Sequence, residues 1–408
     1  SSRNITLSGV GTANGFAGAI STTQFTNINT LIGSSASDTL SGANLALTWT
    51  IDGASKQVSD GLKTLTFSAF ETVSGGSAKD IFNLSNTSTI HLNSGAGDDD
   101  FVFANNAVLI GVIDGQSGVD TISFASYSSG RSVTLTGIGA TDGFSGTVPN
   151  TTFTNINSLV GSVATNDTLS GMNAVATWNL NTSGNHSYSV NPTLAFSGFE
   201  LLVGNSSADT FFIADGASLN GSLDGRGGSD TLSYAGSSAR TVSLSGTGSL
   251  DGFAGTASGL VAGFTNIDAL VGGNGSDTLN GLNAAATWAV TGVDTGLYTR
   301  GNSLAFKAFE NLIGGNAADT LSFAALGTAG DITLNAVGAV DGFNVTEANF
   351  AWGTPVVIGI FKNINILVGS AANNDILHSL NTVNAWQING VAGNTYISTN
   401  VLTFSAVE

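Results

Sequence analysis

This sequence predicts an all-β fold, a parallel β-helix or β-solenoid of about 21 residues per coil, and three observations carry the prediction. One frame of 17 residues, FTNIDALVGGNGSDTLN at 264–280, returns in degenerate copies along the whole chain. The aspartates in its turns are spaced by multiples of one length. The segments between them alternate polar and apolar residues, and no long stretch has helical periodicity.

The frame comes in two versions. One reads FTNINTLIG from Phe25, FTNINSLVG from Phe153 and FKNINILVG from Phe361. The other places Glu after a second aromatic: FSAFETVSG from Phe67, FSGFELLVG from Phe196 and FKAFENLIG from Phe306. Larger modules open on a shared phrase, NITLSGVGTANGF at Asn4, SVTLTGIGATDGF at Ser132, TVSLSGTGSLDGF at Thr241 and DITLNAVGAVDGF at Asp331. The modules are therefore 1–131, 132–240, 241–330 and a partial fourth, 331–408, read as one continuous solenoid. Trp49, Trp178, Trp288 and Trp386 fall in register, while Trp352 belongs to an insertion near Pro355. The chain opens at an internal repeat junction and stops within a copy at Glu408, as expected of a piece of a longer polypeptide.

The physical unit comes from the aspartates. Asp38 to Asp80 is 42 residues, Asp80 to Asp99 is 19, Asp99 to Asp120 is 21 and Asp209 to Asp230 is 21. From Ile5 to Val133, Val133 to Val242 and Val242 to Ile332 the module openings are 128, 109 and 90 residues apart, and these spacings differ by 19, close to one coil. A propeller blade of about 42 residues is the rival, and a sandwich array a further one. Blades recur at equal length, however, whereas a solenoid gains or loses whole coils. About 21 residues hold three short strands with their turns, which predicts about 19 coils for 408 residues.

Runs such as SVTLTG, TVSLSG and ATWNL have the period of two of half-buried strands. The repeat places Phe25, Phe67, Phe153, Phe196, Phe264, Phe306, Phe361 and Phe404 on equivalent inward positions. The registered tryptophans read as members of the same core rather than as a carbohydrate platform.

Composition excludes several classes. Hydrophobic residues make up 41% and charged residues 9%, enough apolar content for a core and too much for a disordered chain. With 10 Lys and Arg against a net charge of -18, nucleic acid is not a partner. There is no Cys, hence no disulfide, thiolate metal site or thiol nucleophile. No run approaches a membrane span of about 18 apolar residues. A cysteine-free, lysine-poor chain rich in Ser, Thr, Asn and Gly suits a secreted or cell-surface bacterial location.

The turns carry the one specific chemical signal. GGNGSDTLN, Gly272 to Asn280, fits the G-G-x-G-x-D-x-U-x nonapeptide at every defined position. SGAGDDDFV from Ser94 and GRGGSDTLS from Gly225 each miss one glycine, and GQSGVDTIS from Gly115 keeps the glycine at the third defined place and the Asp. The chain thus resembles the RTX-type repeat regions of large secreted bacterial surface and adhesin-like proteins, although its nonapeptides are not in tandem. The resemblance implies a parallel β-roll or β-helix whose loops hold Ca²⁺ through carboxylates and carbonyls. Stacking points the same way. Asp80, Asp99 and Asp120 form one column, as do Asp209 and Asp230, with carboxylates roughly 5 Å apart that repel by about 3 kcal/mol at an effective dielectric of ~20. Either turn N–H groups or a divalent cation relieves this. Calcium is expected first at Asp98, Asp99, Asp100 and Asp120, then at Asp230 and Asp277.

Catalytic constellations are thin. His91, His186 and His378 share no spacing or metal motif. Glu71, Glu200, Glu310 and Glu408 recur once per module, which fits a structural role better than a paired-carboxylate hydrolase. The sequence therefore reads as a non-catalytic segment of a giant extracellular repeat protein, forming a stalk, fibre, sheath or surface layer. Its partners are copies of itself or extracellular polysaccharide. A polysaccharide-binding or polysaccharide-cleaving β-helix is the alternative, and ice binding through threonine columns ranks below both.

Overall fold

The structure, a computed structural model, describes residues 1–53, 55–352, 357–389 and 393–407; Pro355 and Glu408 lie outside the described residues. Its regular elements are all β-strands, most of them three to seven residues long. The chain forms two compact units, Ser1–Ala176 with Gly184–Val203, and Thr177–Ser183 with Gly204–Glu408.

In the first unit the chain alternates between two sheets. Thr72–Ser74 lies in one, Ile81–Ser85 in the other, His91–Asn93 in the first again and Asp100–Phe103 in the second. Strands stack in parallel on their counterparts one turn of chain later, Ile81 against Asp100 and Asp100 against Thr121. Those steps are the 19 and 21 residues read from the sequence. The first of these turns holds the three short strands expected, Ile81–Ser85, Thr87–Thr89 and His91–Asn93; the next holds Asp100–Phe103 and Val108–Asp114, the latter running unbroken along both short strands before it.

The longer steps, 47 residues from Asp120 to Asp167 and 42 from Asp38 to Asp80, have a different cause. Ser132–Ile138, Phe144–Val148 and Thr151–Ile156 form an antiparallel meander within one sheet. Its last strand lies parallel to Val108–Asp114 and its first parallel to Thr168–Ser170. The chain thus runs two strands ahead, then fills the gap backward. Thr48–Asp52, Ser55–Ser59 and Thr64–Ser68 do the same in the other sheet. Wholly parallel pairing, expected of a simple β-helix, holds only between these meanders.

The second unit repeats the scheme. Thr241–Thr247, Phe253–Ala257 and Gly263–Ile267 form a meander in one sheet, and Thr287–Gly292, Thr295–Arg300 and Asn302–Lys307 form one in the other. Parallel pairs such as Thr210 against Thr231 and Thr278 against Asn311 link the layers.

Alternation along each strand sends one set of side chains between the sheets. Ring contacts close the gap: Phe144 meets Tyr188 at 5.6 Å in the first unit and Phe253 meets Tyr298 at 5.5 Å in the second. Trp49, Phe82 and Phe101 stack layer on layer, with centroids 5.8 and 4.9 Å apart. Trp178 stacks on Phe211 in the same way at 5.7 Å. Trp49, Trp178 and Trp288 are at most 1% exposed, so they belong to the core as expected, while Trp386 is 40% exposed. The predicted inward phenylalanines are buried except Phe25, which is half-buried.

Two local devices make the repeat words what they are. In FSAF, Ala69 adopts φ 56°, so Phe67 and Phe70 both turn inward and meet edge to face at 6.1 Å. In FTNI, Asn155 adopts φ 54°, and its side chain accepts the Thr141 N–H at 2.9 Å while donating to Asp114 at 2.7 Å. Asn tolerates the left-handed conformation better than other non-glycine residues because its short amide bonds locally.

Candidate functional site

The turn aspartates line the edges where the chain passes between sheets, and they are buried; Asp80, Asp99, Asp120, Asp167, Asp230, Asp277 and Asp375 are 0% exposed. Burial of a carboxylate is unfavourable unless its oxygens accept hydrogen bonds. Two sources of donors serve most of them. Oδ2 accepts the N–H four residues upstream, from Gly76 to Asp80 at 2.8 Å, Asn205 to Asp209 at 3.1 Å, Gly273 to Asp277 at 2.6 Å and Gly315 to Asp319 at 2.8 Å. Oδ1 accepts an N–H from the adjoining layer, from Leu47 to Asp80 at 2.8 Å, Arg131 to Asp167 at 2.6 Å and Arg240 to Asp277 at 2.6 Å.

These cross-layer bonds form ladders. Asp80 N–H donates to Asp99 at 2.6 Å, Asp99 N–H to Asp120 at 3.0 Å and Asp120 N–H to Asn157 at 3.1 Å. In the second unit Asp209 N–H donates to Asp230 at 2.7 Å, and Asp230 N–H to Asp268 at 3.0 Å. The columns expected for Asp80, Asp99 and Asp120, and for Asp209 and Asp230, are therefore present.

The repeated glutamates supply the same acceptor. Glu71, Glu200 and Glu310 take the N–H groups of Asp38, Asp167 and Asp277 at 2.8, 2.9 and 2.6 Å. Their recurrence follows from this task. The histidines do not converge. His91 accepts the Val112 N–H at 3.1 Å, His186 is 6% exposed beside Phe196, and His378 pairs with Asp331 at 2.8 Å.

Three turns depart from the common pattern. At Asp99, Asp120 and Asp230 the residue four upstream has left-handed φ, 97° at Gly95, 63° at Gln116 and 71° at Arg226. The Gln116 and Arg226 N–H groups turn instead to Asp114 and Asp224, both at 3.0 Å. Oδ2 of Asp99, Asp120 and Asp230 is left buried with no hydrogen-bond partner. The Gly95 and Gln116 turns stack backbone on backbone, bridged at Ala96 and Ser117. A Cβ on Gly118 would lie 1.8 Å from Gly97 O, so glycine is required there.

Electrostatics follow from burial in the first place, with or without a full set of donors. Burial pushes Asp120 up to about 7, opposed by the Asp99 N–H and reinforced by Asp99, Asp142 and Asp98. Burial raises Asp230 to about 8, reinforced by Asp209, Asp268 and Asp251. Asp80, although doubly bonded, is raised by burial to about 7 and Asp319 to about 6.

The structure separates the residues expected to act together. Asp99 and Asp120 share a column, but Asp98 is exposed and accepts the Val119 N–H at 2.8 Å, and Asp100 pairs with Lys79 at 2.8 Å. Asp277, in the complete nonapeptide, has donors on both oxygens. Asp142 and Asp251 were not anticipated. Each accepts a turn N–H, from Gly118 or Gly228, at 3.2 Å and keeps its other oxygen buried and unpartnered. Their signal was the DGF that closes the module-opening phrase. Among the described residues, no group of three or more His, Cys, Asp or Glu side chains is placed to hold a metal ion.

No protein-family model matches this chain, and no curated protein matches it. The fold and the ladders define a large, repetitive, all-β domain with the marks of a scaffold.

Proposed function

We propose that this chain is a non-catalytic structural segment of a large extracellular, RTX-like repeat protein of bacterial origin, one that builds a stalk, fibre, sheath or surface layer. One observation carries the reading: the acidic and amide groups that recur in every module are engaged in joining one layer to the next. Glu310, the residue type a hydrolase would need, accepts the Asp277 N–H at 2.6 Å and is 5% exposed. The rival reading is a polysaccharide-active solenoid, and incubation with a panel of extracellular polysaccharides separates the two. Released reducing ends would sink the structural reading. Electron microscopy of native material is expected to show rods or filaments.

Calcium is a second reading, favoured by the unpartnered oxygens of Asp99, Asp120 and Asp230. A cation beside them would supply what the turns withhold, and Ca²⁺ takes six to eight oxygens, carbonyls included. Asp98, Asp100 and Asp277 have weaker claims, being engaged with Val119, Lys79 and backbone donors. Titrating Ca²⁺ into chelator-stripped protein at fixed pH tests this. An unchanged Tm up to millimolar calcium would leave these carboxylates as layer-joining groups alone.

A further inference from the structure

We propose that Arg131 and Asn105, in the first unit, form a binding site for an organic carboxylate from outside the chain, a ligand site added to the scaffold and not dependent on the structural reading.

Arg3, Arg131 and Arg240 each stand just before the opening phrase of a module. Each gives its backbone N–H to a turn aspartate, Asp38, Asp167 or Asp277, at 2.6 Å. The backbone is thus committed to the ladders, and the side chain has a separate task. In the second unit the guanidinium of Arg240 lies over the Tyr234 ring at 5.2 Å and pairs with Asp215 at 2.8 Å. Asp215 also accepts from the Ser238 hydroxyl and the Ser237 N–H. One carboxylate therefore caps the loop that leads to Arg240 and neutralises the guanidinium at its end.

The first unit has the same scaffold without the acid. Arg131 lies over the Tyr127 ring at 4.4 Å and the Phe124 ring at 5.0 Å. Asn105 stands where Asp215 stands, each two residues beyond the end of its strand, Asp100–Phe103 or Asp209–Ile213. A left-handed residue follows each, Asn106 at φ 62° and Gly216 at φ 74°. Both turns close on the same backbone bond, Ala107 N–H to Ala104 O and Ala217 N–H to Ala214 O, each at 3.0 Å. Asn105 Oδ1 accepts the Ser128 N–H and the Ser128 hydroxyl, both at 3.1 Å, so the capping task is kept. The neutralising task is not. With Oδ1 spent on Ser128, the amide has only donors left to offer. Among the described residues Arg131 makes no ion pair, and its Nε is buried without a partner.

This arrangement suits a carboxylate. A guanidinium lying on an aromatic ring keeps its N–H edges available in its own plane. Carboxylate oxygens match that edge with two parallel charge-assisted bonds, and the Asn105 amide has two further N–H groups. Asp215 shows that a carboxylate fits the equivalent guanidinium. Asn105 is exposed and Arg131 half-buried, so solvent reaches the pair. Ring stacking also holds the side chain in place before a ligand arrives, which lowers the ordering cost of binding.

Arginine-selective ¹⁵N labelling gives the test. The chain has five arginines, and Arg131→Lys identifies the Arg131 Nε–H signal by its loss. The probes are sodium glucuronate and sodium acetate, with sodium chloride at the same ionic strength as control, because exposed pairs are screened by salt. Both carboxylates are expected to move the Arg131 signal saturably and to leave the Arg240 signal in place. Asn105→Asp, which supplies the acid from within, is expected to abolish the response, with a Tm no lower than that of the wild type. Equal responses to the two probes would show that the carboxylate alone is read, and a tighter response to glucuronate would add the sugar ring. An Arg131 signal that does not move overturns the proposal. So does equal movement in chloride, or an undiminished response in Asn105→Asp. None of these outcomes touches the structural reading, which falls on released reducing ends instead.

Discussion

Replacing Asp230 by Asn isolates the consequence of burying a carboxylate with one donor where its relatives have two. Asp230 is 0% exposed, takes the Asp209 N–H at 2.7 Å on Oδ1 and has no partner on Oδ2. Burial first, and then Asp209, Asp268 and Asp251, raise it from 3.8 to about 8. The folded state therefore binds this proton more tightly than the unfolded chain does. Its contribution is fully present below the unfolded value of 3.8 and is lost as pH climbs through about 8. At about 1.4 kcal/mol per unit, the shift of about four units sets a ceiling of about 5 kcal/mol. Asn keeps the acceptor and does not titrate, and Asn157 and Asn365 already fill equivalent rungs beside Asp120 and Asp319. Denaturant melts in chelator are expected to show Asp230→Asn close to the wild type at pH 5 and more stable by a few kcal/mol at pH 9. Wild-type stability rising between pH 5 and 8, or a difference between the two that does not change with pH, would refute the reasoning.

The remaining predictions concern the core and the ladders. Trp178→Ala empties a fully buried site stacked on Phe211 and should cost about 3–5 kcal/mol in chemical denaturation. Gly255→Ala places a Cβ 2.5 Å from Ser243 O and 2.8 Å from the Phe264 ring, and a lower Tm equivalent to about 1–3 kcal/mol is expected. Glu310→Ala strands the Asp277 N–H and should cost about 1–3 kcal/mol, most of it recovered in Glu310→Gln, with hydrogen exchange at Asp277 as the local readout. Equal losses in the alanine and glutamine variants would show that the charge, not the acceptor, matters there.

The aspartate columns could be read in the sequence because a period in the turns becomes a period in space. Strand positions and inward phenylalanines followed from alternation for the same reason. The meanders were missed although their cue was present. Asp142-Gly143 and Asp251-Gly252 stand between alternating runs, a short-range signal for antiparallel return. The parallel expectation masked it, and with it the reason that the 47-residue steps from Asp120 to Asp167 and from Asp230 to Asp277 are not two equal coils and a loop. The cue to the donor shortage at Asp230 lies just outside the nonapeptide. GRGGSD and GGNGSD are nearly the same word, yet Asp277 is satisfied on both oxygens and Asp230 on one. What differs is where the upstream N–H points, and that depends on Asp224, the residue that captures the Arg226 N–H.

The backward-filling meander also bears on how such a chain reaches its native state. Parallel pairing must wait for distant partners; Ser132 meets Thr168 only after 36 intervening steps of chain. Closing such a loop carries an entropic cost before any contact offsets it, which makes parallel sheets slow to form. Ser132–Ile138, by contrast, finds Phe144–Val148 across one short turn, and hairpins form in about 1–10 μs. Each meander is thus a local seed that presents two ready-made edges to the layers before and after it. A polypeptide built this way grows longer by adding modules without lengthening its slowest folding step.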